Sequence, residues 1–307
     1  MANFPFFRGA LGLNTAVENT RLSRTEDGFC ELETAVNVQV DSAGALKVRQ
    51  EIVPILVEPS AVHSLWSDGR KYCFYVSNGN LYRLMPDLSS VLVYESYGNT
   101  KNYYVSFAGA VWMTNGSIMA WAKEFTFNSW DASSVRKRKG DTRQLGMPLT
   151  KFKKIFTHTG RLYGFVGNVL WESEPFDPRS FNLASGYLQF ESDIVDAISI
   201  DTGIYLFLRD KTIFLLGESK EKFIKKTVTF GNGVVADTVK LVDGETLPEF
   251  YRVSGIAAVW VAQDGIFVGD DTGVAKSISD RKLEFSELFT GASVVFRNNL
   301  IVSLEVE

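Results

Sequence analysis

The feature that most constrains this chain is a recurring unit of short apolar runs separated by tight turns. It is clearest in Phe152 to Pro175. Phe152, Ile155 and Phe156 form one run, and His158-Thr159-Gly160 a turn. Leu162, Tyr163, Phe165 and Val166 form the next run, Gly167-Asn168 a second turn, and Val169-Leu170-Trp171 a third run. Apolar runs this short, joined by turns this tight, make antiparallel meanders rather than helices. The unit recurs with its first-turn glycine at Gly69, Gly109, Gly160, Gly203 and Gly255, spaced by 40 to 52 residues. That is the period of a propeller blade of four short strands.

The spacing predicts an all-β fold, a β-propeller of six blades, with five or seven left open because the fourth strand of most units is not legible. Five blades are internal. The sixth joins the hairpin at residues 36–49 to the last hairpin, from Ser293 to Val306, so that no open seam is left at a sheet edge. Phe181 to Phe190 leaves room for a further strand pair. Tyr251-Arg252-Val253 reads as the first strand of the fifth unit, and Glu31 to Val36 as a short helical turn. On this reading residues 1–35 form an N-terminal arm and 36–307 a single propeller domain. Long inter-blade loops fall at 123–148 and 220–247, where function tends to sit. The abundance of aromatics, with 23 Phe, 11 Tyr and 6 Trp in 307 residues, agrees with pleated strands.

Charge and cysteines narrow the function classes. A net charge of −4 argues against a chain that binds polyanions over its whole surface, and leaves room for a local basic patch. Cys30 and Cys73 lie in no Cys-x-x-Cys pair and have no His at ligand spacing, which predicts free thiols and no zinc site. The N-terminus lacks the basic start and apolar core of a signal peptide, and no run reaches the length of a membrane helix, so synthesis in the cytoplasm is expected.

Catalytic signals are weak. His63 and His158 are the two histidines, and neither has a partner constellation around it in the sequence. Asp201-Thr202-Gly203 and Asp271-Thr272-Gly273 match the aspartic-protease triplet, but both fall where turns are expected, and turns favour Asp and Gly. Asp264, Asp270 and Asp271 lack the regular spacing of a calcium loop. The reading is therefore a non-enzyme with no cofactor and no metal. Two features point to surfaces instead. Phe4, Phe6, Phe7 and Arg8 cluster in the arm as a contact with the chain's own body or with a neighbouring subunit. Arg136-Lys137-Arg138-Lys139 is the strongest charge cluster, suited to phosphates, to an acidic neighbour, or to solvent.

Three stretches carry a family resemblance. The first is Ala35-Val36-Asn37-Val38-Gln39-Val40-Asp41 with Gly44, Leu46 and Arg49, preceded by Glu18-Asn19 and Leu22. The second is Gly160-Arg161-Leu162-Tyr163-Gly164, followed by Trp171 to Phe181 with its Ser173, Pro175, Asp177 and Pro178. The third is Ile213-Phe214-Leu215-Leu216-Gly217. Together, and in this order, they resemble β-propeller proteins of tailed-bacteriophage tails. The resemblance implies a virion structural protein near the head–tail junction or tail tip, such as a nozzle, tail-hub or stopper subunit. It implies a homo-oligomeric ring, for instance a hexamer, that carries DNA outward among other tail and connector proteins. Arg136 to Lys139 would then face the DNA or an acidic partner, and Phe4, Phe6, Phe7 and Arg8 would make subunit contacts. The alternative is a glycan-binding tail adhesin using exposed aromatics such as Trp121 and Trp130.

Overall fold

A computed structural model of the protein describes residues 9–13, 22, 25, 29–32, 38–40, 45–48, 58–123, 126–131, 142–230, 233–247, 251–279, 288–296 and 299–306. Phe4, Phe6, Phe7, Arg8 and the cluster Arg136 to Lys139 lie outside these residues.

The repeats fold as five antiparallel sheets. The first contains Val62–Ser67, Cys73–Ser77, Asn80–Leu84 and Ser90–Tyr94. The second contains Tyr103–Phe107, Ala110–Thr114, Met119–Lys123 and Thr126–Ser129. The third is built on Lys154–His158, Arg161–Val166, Val169–Glu174 and Asp177–Asn182. It is widened by Leu145–Gly146 and Tyr187–Gln189 to six strands. The fourth contains Ile194–Ile200, Gly203–Leu208, Lys211–Leu216 and Ile224–Phe230. The fifth contains Lys240–Asp243, Ile256–Ala262, Gly265–Gly269 and Ala275–Ser277.

Turn chemistry sets the register. In the first sheet the Asp68 carboxylate accepts the backbone N–H groups of Arg70, Lys71 and Tyr72 at 2.9, 2.8 and 2.9 Å. Gly69 beside it has φ +70°, a conformation glycine adopts without steric cost.

The core lies between consecutive sheets. Phe74, Val76 and Leu81 of the first pack on Val111 and Met113 of the second. Trp112 and Trp130 meet Phe152, Ile155 and Phe181. Tyr163, Phe165 and Leu170 meet Ile204, Leu206 and Ile213, and Tyr205, Phe207 and Phe214 meet Ala258 and Trp260. Middle strands are therefore covered on both faces: every residue of Ala110–Thr114 and Gly203–Leu208 is buried. That explains why they read as continuous apolar runs rather than as alternations. The first strands of the second, third, fourth and fifth sheets neighbour one another, so the first strand of each of these sheets is innermost. Sheets arranged about an axis with their first strands inward form a β-propeller.

Several expectations are corrected. The 220–247 segment is not a loop: it supplies Ile224–Phe230, the outer strand of the fourth sheet, and Lys240–Asp243, the inner strand of the fifth. Lysines at 225 and 226 and a glycine-bearing turn hide the first in the sequence, and its brevity hides the second. Tyr251-Arg252-Val253 is consequently not a strand, and Ile256–Ala262 pairs with Lys240–Asp243 instead. The 123–148 segment likewise holds the strands Thr126–Ser129 and Leu145–Gly146. In the arm, Glu31 and Leu32 belong not to a helical turn but to the strand Phe29–Leu32, which pairs in parallel with Gly9–Leu13. Phe181 to Phe190 does contain strand residues on both sides of a turn, in Asp177–Asn182 and Tyr187–Gln189.

The two terminal hairpins, Val38–Val40 with Leu46–Val48 and Leu288–Phe296 with Asn299–Val306, each pair only within themselves among the described residues. The C-terminal hairpin docks on the fifth sheet. Ser293 Oγ donates to the carbonyl of Thr238 at 2.9 Å, and Val302 and Leu304 pack on Val235 and Val261.

Candidate functional site

Charged side chains gather where the inner strands begin. Each stands at the entry of an otherwise apolar strand: Lys101 just before Tyr103–Phe107, Lys154 opening Lys154–His158, Asp196 in Ile194–Ile200, and Lys240 opening Lys240–Asp243. Asp237 precedes Lys240 by three residues. The pairing register of Ile194–Ile200 shifts between Ile194 and Asp196, and an irregularity of this kind re-aims a side chain.

The contacts among these groups form one network. Lys154 Nζ pairs with Asp196 Oδ1, which also accepts the N–H of Ala197 at 2.6 Å. Asp196 Oδ2 accepts the N–H of Asp237 at 3.0 Å. The Tyr103 hydroxyl donates to Asp237 Oδ1 at 2.7 Å, and Lys101 Nζ lies 2.8 Å from Asp237 Oδ2. Lys154 Nζ sits 5.4 Å from the Tyr103 ring centroid. All four carboxylate oxygens are thus engaged. Asp196 is 1% exposed, and a carboxylate that buried persists only when paired and hydrogen-bonded. Burial, then the negative charge of Asp237, raises the Tyr103 phenol well above its ordinary range. The Tyr103–Asp237 bond joins the second sheet to the segment leading into the fifth.

Lys240 is the odd member. It forms no ion pair among the described residues, and burial, followed by repulsion from Lys154, lowers its pKa. Nearby, Asn102 N–H donates to Ser64 Oγ at 2.8 Å. His63 Nδ1 lies 2.8 Å from the same Ser64 Oγ. The other ring nitrogen, Nε2, is buried with no hydrogen-bond partner among the described residues. Burial and then Lys101 lower the pKa of His63.

At the other end of the inner strands, an open pocket of about 400 Å³ is lined by Phe107, Thr157, His158, Thr159, Gly160, Ser199, Ile200 and Asp201. It holds a His–Ser pair, with His158 Nδ1 2.9 Å from Ser199 Oγ. The other ring nitrogen, Nε2, donates to the Gly217 carbonyl at 2.7 Å. A backbone carbonyl, not a carboxylate, therefore orients this imidazole, and it is the carboxylate that stabilises an imidazolium during nucleophilic catalysis. Glu172 is held elsewhere, by the Tyr163 hydroxyl at 2.6 Å, Arg161 at 2.9 Å and the N–H of Lys220 at 2.8 Å. The His158–Ser199 pair joins the third sheet to the fourth.

The sequence candidates fare unevenly. The Asp-Thr-Gly triplets do adjoin, through Thr202 Oγ1 donating to the Asp271 carbonyl, but no hydrogen bond joins their carboxylates. Asp270 Oδ1 accepts N–H groups from Thr272 and Val274, both at 2.9 Å, as a turn residue does. Among the described residues no group of three His, Cys, Asp or Glu could hold a metal. Cys30 and Cys73 are free. Trp130 and Trp121 are not exposed aromatics. Trp130 is 0% exposed, edge-on to Trp112 at 5.0 Å, and Trp121 stacks on Trp112 at 5.7 Å. Lys101, Lys154, Asp196, Asp237 and Lys240 escape sequence reasoning. Their signal is a charge set inside an apolar strand run, as in Ile194-Val195-Asp196-Ala197-Ile198.

No protein-family model matches the chain, and no curated protein matches it significantly. Solved structures do. The extracellular domain of a one-component system of B. thetaiotaomicron is similar with a TM-score of 0.50 at 12% identity, over 80% of this chain. This chain covers 31% of that one. BBS1N, solved in complex with ARL6DN, is similar with a TM-score of 0.50 at 10% identity, over 84% of this chain and 81% of its own. At such identities the likeness is one of fold, and the fold is that of a β-propeller. No helix among the described residues is long and apolar enough to cross a membrane.

Proposed function

We propose that this chain is a structural subunit of a tailed-bacteriophage virion, a ring-forming component of the tail or head–tail junction that lines or closes the DNA path. The observation that carries the proposal is the set of stretches resembling phage-tail propellers, together with the way the second of them builds a single sheet. Gly160 to Gly164 and Trp171 to Phe181 both lie in the third sheet, the widest among the described residues. Arg161 and Tyr163 of the former meet Glu172 of the latter. Ser173 Oγ accepts the N–H of Leu162 at 2.9 Å, and Asp177 Oδ2 accepts the Ser180 hydroxyl at 3.0 Å. The shared residues thus tie the strands of this sheet to one another.

In such a subunit the Tyr103–Asp237 bond ties the second sheet to the segment leading into the fifth. The conduit then lies between copies of the subunit arranged as a ring. In that arrangement Phe4, Phe6, Phe7 and Arg8 make subunit contacts, and Arg136 to Lys139 meet passing DNA or an acidic neighbour. Immunogold electron microscopy of purified particles from the source strain, with an antibody to this chain, tests the reading. Label at the neck or along the tail axis is expected. Particles that carry no label would overturn it.

A further inference from the structure

The turn that joins Val169–Glu174 to Asp177–Asn182 carries an aromatic residue where glycine is expected. Phe176 has φ +54°, a left-handed conformation that bulky residues rarely adopt and that turns give to Gly or Asn. The fold pins it there, since the Phe176 N–H donates to the Gly160 carbonyl at 2.8 Å. Its ring lies so close over Gly160 that a Cβ at that position would stand 2.7 Å from it. The ring also stacks on Phe107, with centroids 6.4 Å apart. Yet Phe176 stays 74% exposed, so burial offsets little of the backbone strain. Strain of this kind gathers at functional sites. Gly160 and Phe107, which carry the ring, both line the open pocket of about 400 Å³ at the turn ends of the inner strands. The ring therefore stands at the edge of that pocket, whose volume suits a small ligand. The pocket wall also bears polar side chains from the third and fourth sheets: Thr157, Ser199 and the exposed Asp201. Ser199 Oγ is held by His158 Nδ1 at 2.9 Å, and a hydroxyl keeps hydrogen-bonding capacity beyond one such bond.

We propose that this pocket binds a neutral saccharide, with one pyranose ring resting its C–H face on Phe176 and its hydroxyls reaching Asp201, Thr157 and Ser199. A pyranose is the chemistry that uses both halves of the site. Its C–H groups present weak positive charge to the negative face of an aromatic ring. Its neighbouring hydroxyls both donate and accept, which matches a carboxylate set beside hydroxyls. An oxyanion would meet the Asp201 carboxylate, and a purely apolar ligand would leave the polar side chains without partners. No three His, Cys, Asp or Glu among the described residues could hold a metal instead. The site rests on a single chain and is independent of the virion reading.

The test is saturation-transfer NMR on the full-length chain with the methyl pyranosides of glucose, galactose, mannose, rhamnose and N-acetylglucosamine. At least one is expected to bind saturably and to take up saturation on the ring protons of one face. Phe176→Gly removes the ring and relieves the positive φ, so it should fold with Tm unchanged or raised. It should bind that pyranoside roughly tenfold more weakly or worse, as loss of a stacking partner does. Asp201→Asn, which removes the charge and half of the acceptor capacity, should weaken binding several-fold. Leu149→Ala trims a side chain that is 100% exposed and outside the pocket lining, and should leave binding intact. No saturation transfer to any member of the panel would overturn the proposal. So would unchanged binding in Phe176→Gly, which would take the ring out of the site, or a marked fall in its Tm, which would make the ring a structural prop. Uptake of methylguanidine in place of every pyranoside would assign the pocket to a cation and equally refute the saccharide. None of these outcomes moves the label expected on particles, so the two readings fail separately.

Discussion

At the residue scale, His158 shows how a side chain can be near catalytic geometry and serve as a tie instead. It is 3% exposed, and both ring nitrogens are engaged, one by Ser199 and the other by the Gly217 carbonyl. Burial is the main cause that lowers its pKa below the ordinary 6.5. The folded chain therefore binds a proton at His158 less readily than the unfolded chain does. Its contribution to stability is fully present above pH 6.5 and is lost as pH falls through 6.5 towards the lowered folded value. Thermal unfolding between about pH 7.5 and about pH 5 should show a fall in Tm on the acid side. In His158→Gln that acid-side fall should be shallower, with a loss of about 1–3 kcal/mol at neutral pH from partners left unpaired. An unchanged acid slope in the variant would assign the pH dependence to other groups.

At the element scale, one buried carboxylate ties two strands of the third sheet to the segment beyond the fourth sheet's third strand. Glu172 is 5% exposed and joins Arg161, Tyr163 and the backbone of Lys220, which lies beyond the third strand of the fourth sheet. Removing it leaves the Tyr163 hydroxyl and the Lys220 N–H without their acceptor, and takes the counter-charge from a half-buried guanidinium that keeps only the Ser173 carbonyl, 2.9 Å away. Glu172→Ala is expected to cost about 3–5 kcal/mol in urea unfolding, the range for breaking one side of a buried pair. Tyr163→Phe, which leaves the Arg161 pair in place, should cost about 1 kcal/mol. Three strands of this sheet, Lys154–His158, Arg161–Val166 and Val169–Glu174, are plain in the sequence because Gly160 and Gly167-Asn168 punctuate dense apolar runs. Thr126–Ser129, Ile224–Phe230 and Lys240–Asp243 are not plain. The first two are outer strands whose short or lysine-interrupted patterns blur the alternation. The third carries a lysine inward, against the alternation that marks a strand.

At the scale of the whole molecule, the propeller is legible from the spacing of its turns, and its polar centre is not. The apolar clusters between sheets depend on side chains that look apolar in sequence. The axial network joins residues more than a hundred positions apart, such as Tyr103 and Asp237, and nothing local couples them. A lysine or aspartate opening a strand reads as a solvated end unless the innermost strand is known. In the proposed virion role, several such propellers stand around a DNA path. Electron cryomicroscopy of purified tails from the source strain tests that arrangement most directly. The expected result is density that fits copies of this propeller in a ring at the neck or on the tail axis, with DNA between the copies. A reconstruction of those tails with no density for this propeller, or with DNA threading a single propeller, would contradict it.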